Sequence, residues 1–92
     1  MVRSHFDLTF ECRVEDEKQV RAAIIGCLGD EALEICQIVS RTDIKIVEIV
    51  VQVTGAEDAA VKVERTISKL SLSPGLLRAG WCVAEAGEIG FK

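Results

Sequence analysis

The sequence predicts an α+β fold, a two-layer sandwich in which a four-stranded antiparallel sheet carries two helices on one face. Three observations carry that expectation. Apolar residues recur at period two, then at three and four, and then return to two, in the order β-α-β-β-α-β. The chain is 49% hydrophobic and only 4% aromatic, so aliphatic side chains dense enough for a small core are present. The only proline and the only tryptophan both lie in "LSPGLLRAGW", where a helical run gives way to an alternating one.

The first strand is read from "HFDLTFECRV". Phe6, Leu8, Phe10, Cys12 and Val14 fall on one face, and His5, Asp7, Thr9, Glu11 and Arg13 on the other. "EDEKQVRAAIIGCLGD" then places Val20, Ala23, Ile24, Cys27 and Leu28 on one helical stripe, with Gly29 as its stop. Asp16 and Gln19 are spaced as a capping box, and Glu15, Asp16 and Glu17 suit the positive end of the helix dipole.

"ALEICQIVS" reads as a second strand and "SRTD" as a polar turn. "IKIVEIVVQV" is the most strand-like segment, rich in β-branched residues. Val47, Ile49, Val51 and Val53 share one face. Ile44, Ile46 and Val50 share the other with Glu48 and Gln52, which suggests a central strand or a covered face.

The second helix is expected over "TGAEDAAVKVERTISKLS", with Thr54 and Glu57 as its capping pair and Ala60, Val63, Ile67 and Leu70 buried. Pro74 lacks an amide hydrogen and ends it. "LLRAGWCV" then returns as the last strand, turning Leu77, Ala79, Trp81 and Val83 inward. The order is the ferredoxin-like split arrangement, and right-handed crossovers put strands one and three at the centre. A single domain over 1–84 is expected, with 85–92 a flexible tail.

Charge narrows the function classes. The net charge is −4, and the 11 Lys and Arg residues are interleaved with acids rather than gathered in a stripe, which argues against nucleic acid. No uncharged run approaches the ~20 residues of a membrane-spanning helix. The four cysteines contain no C-x-x-C pair and fall within apolar segments, so reduced, buried thiols are expected.

Two stretches carry a family resemblance. "CRVEDEKQVR" (12–21) and "VERTISKLSLSPGLLRAGW" (63–81) resemble the C-terminal cytosolic domain of MgtC/SapB-type, magnesium-associated inner-membrane proteins. The resemblance implies an ACT-like domain on the cytoplasmic side of a bacterial inner membrane, behind a multi-helix membrane region. It also implies an association with growth at low magnesium and, in pathogens, with virulence. On this reading the chain is an excised domain with a supplied Met1, or a stand-alone relative. One departure is visible: ACT domains that bind amino acids have a glycine in the first strand–helix loop, where this chain has "RVEDEK".

Candidate chemistry is sparse. Glu15, Asp16 and Glu17 could offer oxygens to Mg²⁺, although helix capping explains the same acids. Cys12, Cys27 and Cys36 could face a soft metal, but they suit core packing better. Cys82 lies opposite Trp81 in the alternation and is a candidate for redox or contact roles. His5, at a frayed chain start, has no nucleophile at useful spacing.

No cofactor is implied and no enzyme is expected. The free sheet face is expected to be a protein interface built from Ile44, Ile46, Val50 and Cys82, serving a homodimer or another part of a parent membrane protein. The expected function is therefore a non-catalytic regulatory or protein-interaction domain. The alternative is a stand-alone ACT-like sensor of an amino acid or metal.

Overall fold

The structure, a computed structural model, describes residues 4–84. Strands β1 (Ser4–Arg13), β2 (Glu34–Asp43), β3 (Ile46–Gly55) and β4 (Leu76–Ala84) alternate with helices α1 (Glu17–Asp30) and α2 (Ala59–Leu70). The sheet order is β2-β3-β1-β4 and every neighbouring pair is antiparallel. The ferredoxin-like βαββαβ sandwich is the observed architecture. The expected tail over 85–92 lies outside the described residues.

The core is built from strict alternation on the two central strands. Phe6, Leu8, Phe10 and Cys12 of β1 are buried, as are Val47, Ile49, Val51 and Val53 of β3. Each is directly opposite its counterpart, Leu8 against Val51 and Phe10 against Ile49. α1 lays Val20, Ile24 and Leu28 on this surface, and α2 adds Ala59, Val63, Thr66 and Leu70. The buried Thr66 hydroxyl donates to the Lys62 carbonyl at 2.9 Å, so its polarity is satisfied within the helix.

Several local expectations are corrected. Val14 is exposed because β1 ends at Arg13 and Val14–Asp16 form a 3₁₀ turn. Neither helix has a side-chain N-cap: Asp16 makes no capping bond, and Thr54 lies in β3, well before α2 begins at Ala59. The stripe of α2 is rotated by about one residue, with Ala59 and Thr66 buried, Ile67 partly so and Ala60 exposed. The rotation follows from Gly55: a Cβ there would sit 2.6 Å from the Ala59 Cβ and 2.9 Å from Leu33, so the start of α2 presses on bare backbone.

"SRTD" is strand, not turn. β2 runs on to Asp43, and the chain reverses over the next two residues, with Ile44 at φ 59°. A two-residue hairpin needs the left-handed region at its first central position, a place that suits glycine better than a β-branched residue. The polarity that suggested a turn belongs to an edge strand exposed to water. His5 is not frayed; it is paired with Thr54 on one side and Ala84 on the other. In β4 a register shift against Glu11 and Cys12 turns Leu76 toward the core and leaves Leu77 exposed. Ala79 and Trp81 pack inward as expected, whereas Val83 is 56% exposed.

Two devices fix the end of α1. Leu33 N–H donates to the Leu28 carbonyl at 3.1 Å and Ala32 N–H to Gly29 at 3.0 Å, a Schellman closure with Ala32 at φ 60°. Glu31 then accepts two bonds from Arg65 of α2, at 2.9 and 3.1 Å, with Lys69 at 3.5 Å. Those Arg65 hydrogen bonds hold the Glu31 carboxyl below its usual range against the opposing effect of burial, and the charge of Arg65 with the hydrogen bond and charge of Lys69 add to the lowering.

Two predictions follow from this end of α1. Ala32→Gly removes the left-handed penalty on a Cβ-bearing residue and raises stability by about 0.5–1 kcal/mol, read from the urea midpoint. Because the folded value of Glu31 is depressed, its stabilisation is complete above the ordinary glutamate range and is lost as pH falls through the folded value. Glu31→Gln is therefore less stable than the parent at neutral pH, and the two thermal midpoints converge in acid.

Candidate functional site

The sheet face opposite the helices is left uncovered by them and holds most of the expected interface residues. Even-numbered residues of β3 and odd-numbered residues of β1 point there, because their neighbours are committed to the core. Register assembles them into rows that cross all four strands. One row is Arg41–Glu48–Glu11–Arg78, a second Val39–Val50–Thr9–Gly80, and a third Gln37–Gln52–Asp7–Cys82.

The charged row reads plus, minus, minus, plus. Glu48 and Glu11 lie directly opposite one another, a placement in which Cβ atoms are about 4.5–5.5 Å apart and like charges repel. Arg41 and Arg78 on the two outer strands flank them, so the row is neutral in sum. A cavity of about 230 Å³ lies over Glu11, Glu48 and Arg78, and one of about 210 Å³ over Glu11, Glu48 and Arg41. A third, of about 270 Å³, lies where His5, Asp7, Cys36 and Gln52 meet, beside the irregularity in β2 between Ile35 and Gln37.

The interface residues expected from sequence are only partly brought together. Val50 sits in the middle of the face, with Thr9 on one side and Val39 on the other. Cys82 is on the same face opposite Asp7, and Ile46 lies at its end between Asp43 and Arg13. Ile44 is not on the face at all; it caps the hairpin tip and is 87% exposed. Val39, 47% exposed, completes the apolar pair with Val50. The bulge around Cys36 breaks the alternation that would assign its face from the sequence.

The acids at the start of α1 do not converge. Asp16 pairs with Arg13 at 3.6 Å and Glu17 with Arg21 at 3.1 Å, while Glu15 is exposed. Arg21 also donates to Ser40 Oγ, tying α1 to β2. Among the described residues no three His, Cys, Asp or Glu side chains are placed to hold a metal ion. The loop between β1 and α1 is filled from within: Val14 N–H donates to the Lys45 carbonyl at 3.1 Å, and the Asp16 side chain packs against Gly75, at φ 90°.

All four cysteines are free thiols, but they are not all buried. Cys12 is in the core, Cys27 is half-buried, and Cys36 and Cys82 are exposed. Burial pushes the Cys12 thiol up, and the negative charges of Glu17 and Asp16 add to the rise. Cys36 and Cys82 stand on opposite outer strands, about 14 Å apart across three strand spacings, too far for a disulfide within one chain.

The fold defines the class: an ACT-like βαββαβ domain. The ACT domain of GTP pyrophosphokinase from Chlorobium tepidum is 14% identical, with a TM-score of 0.69 over 88% of this chain and 100% of that one. An ACT domain protein from Streptococcus pneumoniae, also 14% identical, gives 0.73 over 92% and 94%. These two likenesses concern the fold.

The family is narrower. The sequence profile of the MgtC/SapB C-terminal domain matches residues 6–81, and the chain belongs to that family. The C-terminal domain of the MgtC protein from Mycobacterium tuberculosis is 25% identical, with a TM-score of 0.71 over 89% of this chain and 88% of that one. Among curated proteins none matches. No helix among the described residues is long and apolar enough to cross a membrane.

The thiols supply a direct check of this geometry. Under native conditions, Cys36 and Cys82 are expected to be alkylated first, with Cys12 reacting only on unfolding, as read by mass spectrometry of timed iodoacetamide samples.

Proposed function

We propose that this chain is a non-catalytic regulatory or protein-interaction domain of an MgtC/SapB-like membrane protein. It works on the cytoplasmic side of the bacterial inner membrane, in a system linked to magnesium homeostasis and, in pathogens, to virulence. The reading is supported by family membership over residues 6–81 together with one structural observation. A sheet face left bare by the helices carries a Val39–Val50 pair beside a balanced row of two arginines and two glutamates. A surface of that kind suits a protein segment with its own apolar stripe and both signs of charge.

The partner in this reading is the parent membrane region. Its test is an amide-shift titration of the labelled chain with a detergent-solubilised membrane region of an MgtC/SapB-type protein. Shifts are expected at Thr9, Glu11, Glu48 and Val50, with the outer faces of both helices silent. Shifts confined to the helices, or none at all, would contradict it.

The sensor alternative is weakened by the closed loop between Arg13 and Glu17, where the Val14 and Glu17 amides are already engaged. Amino acids and millimolar Mg²⁺ are accordingly expected to leave the melting temperature unchanged. A strong stabilisation by one of them would favour the sensor.

A further inference from the structure

We infer, resting on the docking proposed above, that the open face receives an amphipathic helix laid along β1 and β3, with a lysine or arginine seated between Glu11 and Glu48. The starting observation is a set of charges that register brings together without pairing them. Glu11 and Glu48 are half-buried and directly opposite, and Arg41 and Arg78 are their exposed neighbours on the outer strands. Among the described residues none of the four makes an ion pair. Each arginine instead lines a cavity with both glutamates, of about 230 Å³ for Arg78 and about 210 Å³ for Arg41. Two facing carboxylates repel, and a cation set between them turns that repulsion into charge-assisted hydrogen bonds.

The two central strands supply the rest of the pattern. Two residues from the glutamates stand Thr9 and Val50, with Val39 beside Val50, and two further on stand Asp7 and Gln52. Residues on one face of an antiparallel strand repeat about every 6.8 Å, and every fourth residue of a helix lies about 6 Å from the last. A base, an aliphatic residue and a second base at i, i+4 and i+8 therefore fall over the glutamate pair, over Val50 and over Asp7. A helix also carries its own backbone hydrogen bonds, whereas an extended segment laid on a sheet face would bury unpaired amides. Arg41 and Arg78 stand one strand outside the glutamates, on the flanks of such a helix, and repel a segment that is basic all round.

A second copy set face to face does not fit. The row Arg41–Glu48–Glu11–Arg78 reads the same from either end, so a two-fold axis along the strands puts glutamate on glutamate. An axis along the row sets each charge on itself. The parent membrane region is a better source of the basic stripe, because cytoplasmic loops of membrane proteins carry an excess of lysine and arginine.

Two acetylated and amidated alanine-rich helical peptides test the charge order, one with Lys, Leu and Lys at i, i+4 and i+8, the other with Glu, Leu and Glu. The lysine peptide is expected to shift the amides of Thr9, Glu11, Glu48 and Val50 at millimolar concentration, with the shifts fading as salt is raised. The glutamate peptide is expected to bind at least about tenfold more weakly. The double variant Glu11→Gln with Glu48→Gln, folded by circular dichroism, is expected to weaken the lysine peptide by about tenfold. Equal binding of the two peptides would overturn the inference, as would no shift on the open face, shifts that persist in high salt, or unchanged binding in the double variant. Binding of the lysine peptide without the membrane region would remove that region as the partner and keep the basic stripe, whereas binding of the region alone would remove the stripe.

Discussion

The inward row of β1 is the constraint on which the rest of this small domain depends. Phe6, Leu8, Phe10 and Cys12 are buried along one face of a strand whose intervening residues face water. A slip of one residue would exchange the two sets, so the pairing with β3 is strongly specified. Phe6 also meets Trp81 edge-on, ring centres 5.6 Å apart, which anchors β4 to the same row. With both helices seated on these side chains, the opposite face is left to other uses.

The helix layer is secured by a few contacts rather than by side-chain N-caps. Arg21 reaches Ser40 from α1, and Glu31 at its other end is gripped by Arg65 and Lys69 of α2. Gly55 lets α2 begin against bare backbone, and the Asp16 side chain fills the space beside Gly75. The last contact closes the loop between β1 and α1. With that loop packed shut, the surface the helices leave uncovered is a sheet face of mixed polar and apolar residues.

Much of this was legible in the sequence because the central strands alternate without error and the helices repeat at helical spacing. The family was legible too, since its resemblance lies in contiguous stretches at both ends of the domain. What escaped was set by long-range packing. The rotation of α2 depends on Gly55 meeting Ala59, which no local period reports. The irregularities in β2 and β4 shifted Val39 and Leu77 away from simple alternation, Val83 keeps its register but lies on an outer strand, and the left-handed Ile44 was hidden by its apolar side chain. The charged row exists only through register: Arg41, Glu48, Glu11 and Arg78 are scattered in the chain and become neighbours once strands pair.

Stability of two adjacent residues on β1 tests the one-sided sandwich most directly. Leu8 points into the core and Thr9 onto the open face, so urea unfolding of Leu8→Ala should show a loss of about 2–5 kcal/mol, with Thr9→Ala costing about 1 kcal/mol or less. Equal losses at the two positions would mean that both faces of the sheet are packed, and the account would fail.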